Sequence, residues 1–134
     1  AVSNKTHYNE MNVLSMHALI GAYQPQGYEW VDELNQVLSG NIEYFCDYVD
    51  EHFEGVSYSR PQGTYMVFLD CTEWCREHGR DIQWLLDEGA RVGVGYQDGR
   101  PFHGPCHIRV NLALPLSRVR EACDRLDRYV FNAR

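Results

Sequence analysis

The sequence predicts an α+β (mixed α/β) fold: a small three- to four-stranded sheet covered by helices and preceded by one long helix. Three observations carry this expectation. An apolar stripe at three- and four-residue spacing runs from Trp30 to Phe53. Short apolar runs at 64–70 and 107–114 follow turns rich in Pro and Gly. A final amphipathic stretch closes the chain, with Val119, Ala122, Cys123, Leu126, Tyr129 and Val130 on one face.

Residues 10–23, "EMNVLSMHALIGAY", read as a helix that is apolar on most sides and so needs burial against something. "QPQG" at 24–27 is a break. The long helix follows at about 28–53, with Asp32, Glu33, Gln36, Glu43, Asp47, Asp50 and Glu51 opposite its stripe. Ser39-Gly40-Asn41 is a weak point within it, and Gly55 closes it. "VSYS" and "TYMVFLD" read as strands joined by the Arg60-Pro61-Gln62-Gly63 turn. Thr72 caps a short helix that ends at Gly79, and Asp81 caps another that ends at Gly89. "ARVGVG" is expected as a brief strand, 96–105 as a loop and "HIRVNLAL" as the next strand. Ser117 is the expected cap of the last helix.

One domain-sized core is within reach of 134 residues, of which 44% are hydrophobic and 13% aromatic. A net charge of -7 argues against nucleic acid and against anionic membrane surfaces as partners. No apolar run approaches the roughly 18 residues of a membrane span, and the first ten residues do not read as a signal peptide, so the expected location is the cytoplasm. Five cysteines in scattered positions read as free thiols rather than a disulfide framework. Cys71 and Cys75, and the "HGPCH" cluster of His103, Cys106 and His107, offer no CxxC pair, and no metal is expected.

Arg109 is the leading candidate for chemistry. It stands inside an apolar strand, where alternation puts Ile108 and Val110 on one face and His107, Arg109 and Asn111 on the other. Such a guanidinium either pairs with an acid of its own fold or grips an incoming carboxylate with its planar fork. Tyr65, in the "PQGTY" turn, is a candidate wall for a ligand brought close to the backbone. Asn9 and Asn12 precede the first helix, where capping is the ordinary role. The single lysine, Lys5, lacks the apolar pocket that a nucleophilic amine needs.

Five pieces in order, "NVLSMHALIGAY", "GYEWVDELNQVLSGNIEYFCDYV", "PQGTYMVFLD", "HIRVNLALP" and "VREACDRLDRYV", resemble the C-terminal part of the class I/II (fold type I) pyridoxal-phosphate aminotransferases. The branch they resemble most holds the cystathionine β-lyase-type C–S lyases. The resemblance implies that residues 1–26 are a remnant of a large cofactor domain, 27–54 a connecting helix and 55–134 the C-terminal small domain. It implies that Arg109 holds the substrate's α-carboxylate, with Tyr65 and Asn111 lining the substrate site. Asn9 and Asn12 would lie near a dimer interface and the neighbouring active site. The cofactor implied is pyridoxal phosphate, bound by the parent protein and not by this fragment alone. The lysine that binds it covalently falls upstream of the matched pieces, and Lys5 does not take that role, so the fragment is expected to be inactive by itself. The partners implied are an amino-acid substrate, the missing N-terminal domain and a second copy in a homodimer. The competing expectations are a ligand-sensing aminotransferase-like domain of a transcription regulator and a non-catalytic interaction module. A self-standing module would bury residues 10–23.

Overall fold

The computed structural model describes residues 12–133. The chain divides into two units, Ala1–Gln36 and Val37–Arg134. Asn9 and Lys5 lie outside the described residues.

In the first unit, helix α1 (Val13–Ala22) is capped by Asn12, whose side-chain oxygen accepts the Ser15 amide at 2.8 Å. The expected break after it is narrow, because Pro25 opens the next helix, a position where its missing N–H is no loss. Gly27 is required there: a Cβ would run into the Ala22 carbonyl. α1 buries none of its residues, and Leu14 is 82% exposed. A self-standing module would have covered this helix.

Helix α2 (Pro25–His52) carries helical hydrogen bonding unbroken through Ser39-Gly40-Asn41. Its apolar stripe is buried only in the second unit, at Phe45, Cys46 and Val49; Trp30, Val31 and Val37 are exposed. Beyond α2, Gly55 adopts φ +79°, and its carbonyl accepts the Trp74 amide at 3.0 Å.

The sheet has four antiparallel strands, β1 (Ser57–Tyr58), β2 (Met66–Asp70), β3 (Gln97–Asp98) and β4 (His107–Asn111), in the order β1-β2-β4-β3. One face, formed by Val67, Leu69, Ile108 and Val110, is buried. It shares a core with Phe45, Cys46 and Val49 of α2, and with residues of α3 (Thr72–His78), α4 (Ile82–Arg91) and α5 (Leu116–Leu126). A single π-helical turn, Asp127–Phe131, ends the chain's helical structure and turns Val130 and Phe131 inward. Phe131 stacks on Phe53 at 4.3 Å, and its carbonyl accepts the Trp74 indole N–H.

Four local expectations differ from the structure. Thr72 does not cap α3. Cys71 occupies that position, and the Asp70 carboxylate accepts both the Thr72 amide and its hydroxyl. Gly89 does not end α4, which continues to Arg91, because Gly89 faces the Tyr96 ring, where a Cβ would come within 2.5 Å of Tyr96 Cζ. Residues 90–95 are not a strand. The Val92, Gly93 and Val94 amides are spent on the carbonyls of Glu88, Ala90 and Gly89, a helix ending that uses Gly93 at φ +76°. The strand pairing with β4 therefore starts only at Gln97. Finally, α5 starts at Leu116, ahead of Ser117, with Pro115 at its cap and no side-chain cap bond. Among the described residues, no helix is long and apolar enough to cross a membrane.

Candidate functional site

Strand alternation leaves the second face of the sheet uncovered by helices. Register puts Met66 opposite Asn111, Phe68 opposite Arg109 and Asp70 opposite His107, and Gln97 flanks Arg109 from β3. Arg109 thus stands at the centre of this open face, half-buried.

The loop between β3 and β4 folds back onto that face. The Gly99 amide bonds the His107 carbonyl at 2.9 Å, and the Gly104 amide bonds the Gly99 carbonyl at 3.0 Å. Both glycines are needed for this approach. A Cβ on Gly104 would lie 2.5 Å from the Phe68 ring and 2.6 Å from His107, and one on Gly99 would strike the His107 carbonyl. His107 packs on Phe68 with ring centres 4.6 Å apart, forming the platform on which the loop rests. A 3₁₀ turn, Arg100–Phe102, then carries the Phe102 ring over the Arg109 guanidinium at 4.6 Å.

The electrostatics explain why Arg109 keeps its capacity for an outside anion. Its Nη1 donates to the Gln97 side-chain oxygen at 3.1 Å, a neutral partner. The acids of the neighbouring strands are already engaged. Asp98 accepts the Arg100 Nε at 2.7 Å and the Arg100 amide at 2.9 Å, and these bonds hold its carboxyl below the usual range. Asp70 is pushed up by partial burial. The Thr72 hydroxyl and amide and the nearby His107 outweigh that and leave its carboxyl lowered. Among the described residues, Arg109 makes no ion pair. Its remaining N–H groups form a planar fork suited to a carboxylate.

The other expected site residues are distributed unevenly. The Tyr65 carbonyl accepts the Leu112 amide at 2.9 Å, so Tyr65 sits at the Asn111 end of the β2–β4 pair, and the residue is 44% exposed. The Asn111 side-chain oxygen accepts the Ala113 amide at 2.8 Å, which shapes the exit from β4. Asn12 is a helix cap in the first unit. Gln97 and Phe102 were not expected, because their contact with Arg109 depends on register and loop path. Asn41 was also missed. It is buried, and its amide donates to the carbonyls of Leu112 at 2.9 Å and Leu114 at 2.7 Å, tying α2 to the end of β4.

A cavity of about 340 Å³ opens near the same strand end, lined by Phe45, Val94, Leu112, Val119 and Leu126 among others, with Asn111 the only expected site residue in its wall. Its two arginines, Arg118 and Arg125, are both paired with Glu121, so it offers no unpaired cation to an acidic ligand.

No protein-family model matches the chain. A Mycobacterium leprae protein named "Putative cystathionine beta-lyase" is 35% identical over 124 residues, covering 81% of this chain and 30% of that protein. The PLP-bound C-S lyase from Staphylococcus hominis has a similar fold, with a TM-score of 0.80 at 23% identity over 93% of this chain and 33% of that one. The "PLP-bound putative aminotransferase" of Clostridium difficile 630 gives 0.78 at 25% identity, over 91% and 32%. The chain therefore spans about a third of the length of the proteins it matches.

Proposed function

We propose that this chain, which matches a C-terminal portion of the fold type I lyases and aminotransferases, supplies the α-carboxylate site of a pyridoxal-phosphate-dependent C–S lyase or aminotransferase acting on amino acids. The observation that carries this reading is Arg109. It is a half-buried residue on the open face of the sheet, its guanidinium braced by the neutral Gln97 and by the Phe102 ring while the nearby acids are engaged elsewhere.

The described residues fit the substrate better than the cofactor. They include no lysine, so a covalent hold on pyridoxal phosphate falls to the rest of a parent about three times as long. Bound there, the cofactor supplies the electron sink that makes an amino acid's Cα–H labile. Arg109 acts by position. A bidentate grip on the carboxylate fixes the amino acid's rotation and hence which Cα bond is presented for cleavage. Phe102 shields one side of the guanidinium from water, and Tyr65 and Asn111 border the site from the strand ends.

The same reading assigns residues 1–26 to the tail of the cofactor domain, 27–54 to the connecting helix and 55–134 to the small domain. The exposed apolar side chains of α1 fit burial by the rest of the parent or by its homodimer mate, with Asn9 and Asn12 near that interface. Five free thiols suit a reducing cytoplasm. By itself the chain is expected to be inactive.

The test is kinetic, in the parent protein. Arg109→Ala and Arg109→Lys should each lower kcat/KM by about 100-fold or more, mostly through KM. Truncating one side of a hydrogen-bonded charge pair costs about 2–5 kcal/mol, and a point charge does not reproduce the fork. Near-normal kinetics for both variants would remove the assignment.

A further inference from the structure

Two anchors fix the register of the short strand β3 beside Arg109. Before the strand, Tyr96 packs against Gly89 of α4, and its hydroxyl donates to the Leu85 carbonyl. After it, the Gly99 amide donates to the His107 carbonyl at 2.9 Å. Held at both ends, β3 sets Gln97 opposite Arg109 and Asp98 opposite Ile108. A slip of one residue would bring Asp98 beside the cation and turn the strand's side chains to the other face. A guanidinium carries only donors, so Gln97 meets it with its side-chain oxygen, which accepts Arg109 Nη1 at 3.1 Å. Among the described residues this is the only side-chain hydrogen bond of Arg109. The Phe102 ring covers the same group at 4.6 Å. A hydrogen bond along one N–H fixes how the planar fork is turned, which a ring contact alone does not.

We propose that Gln97 is a positioning residue of the carboxylate site: its oxygen sets the rotation of the Arg109 fork, and its lack of charge reserves the cation for an incoming α-carboxylate. This role rests on the carboxylate site assigned to Arg109. Glutamate has the length and shape of glutamine and would reach the same N–H, but as a carboxylate. It would fill the fork from within and repel the α-carboxylate of the substrate. An apolar side chain of similar length would leave the cation free but its rotation unset. An amide is the side chain of this length that both holds the fork and leaves it charged. The path of β3 serves the same end, because the one acid in the strand, Asp98, is paired with Ile108 in the register and engaged by Arg100.

The test has two arms. In this chain, Gln97→Glu introduces a carboxyl whose titration carbon-13 NMR can follow. It should titrate below the ordinary glutamate value of about 4.3, because the Arg109 cation favours its charged form. Adding Arg109→Gln to the same chain should return it to that value. Identical titrations in the two variants would mean that positions 97 and 109 do not meet, and would overturn the proposal without any activity being measured. In the parent protein, with L-cystathionine as substrate, Gln97→Glu should raise KM by about 10-fold or more and leave kcat within about 3-fold. Gln97→Met, uncharged and similar in length, should raise KM by only about 3-fold. A side chain that merely supports the fold would give the two variants equal effects, and that result would overturn the proposal. If Arg109→Ala raises KM while Gln97→Glu does not, Gln97 loses its role and the Arg109 site stands. If Arg109→Ala leaves KM unchanged, the site itself falls, and the role of Gln97 with it.

Discussion

The Phe102 ring lies 4.6 Å from the Arg109 guanidinium carbon, although the two residues reach that contact from different elements. The ring covers the cation without neutralising it. Phe102→Ala should therefore leave the fold intact, with a stability loss of about 1 kcal/mol or less from the cation–π contact. In the parent protein it should raise KM several-fold with little change in kcat. A thermal melt on the chain and steady-state kinetics on the parent check the two halves, and an unchanged KM would separate Phe102 from the site.

Gly104 is where the loop touches the platform. Gly104→Ala places a methyl group 2.5 Å from the Phe68 ring. Overpacking of this kind costs about 1–3 kcal/mol. The expected outcome is a lower urea midpoint, with weaker burial of the 99–106 loop in hydrogen exchange. A variant as stable as the parent chain would mean the loop does not rest on Phe68.

Asn41 joins α2 to the strand exit that follows Arg109. Asn41→Leu removes the donor to two carbonyls, one of them fully within the core. Leaving buried acceptors unpaired costs about 1–3 kcal/mol each. Urea unfolding should lose roughly that much stability, and a loss under about 0.5 kcal/mol would contradict a buried clamp.

Asp70 makes acid stability testable. Its carboxyl is lowered in the fold, where the bonds from Thr72 and the proximity of His107 prevail over burial. A depressed carboxylate contributes stability above its unfolded value and loses that contribution as pH falls through the folded value. Asp70→Asn should therefore flatten the decline in stability between mildly acidic pH and pH values below the ordinary carboxylate range. Parallel decline in both proteins, measured by thermal melts across that range, would count against the Asp70 linkage.

Much of the fold was legible because it depends on local rules. The 3.6-residue stripe of α2, the Asp81 cap and the alternation of β4 are written in residues a few positions apart. Where local rules misled, a distant residue intervened. Gly89 reads as a helix stop until Tyr96 is seen packed against it, and 90–95 reads as a strand until its amides are spent closing α4.

The amino-acid order alone determined that Arg109 shares a polar strand face with His107 and Asn111, because side chains alternate along a strand whatever it pairs with. It also determined that α1 is apolar well beyond one face. Only the tertiary structure decided what surrounds the guanidinium. Gln97 beside it, Phe102 over it and the diversion of Asp98 to Arg100 all follow from strand register and from a loop closing on two glycines. These are contacts between segments far apart in the chain, and no spacing of neighbouring residues encodes which distant side chain will arrive.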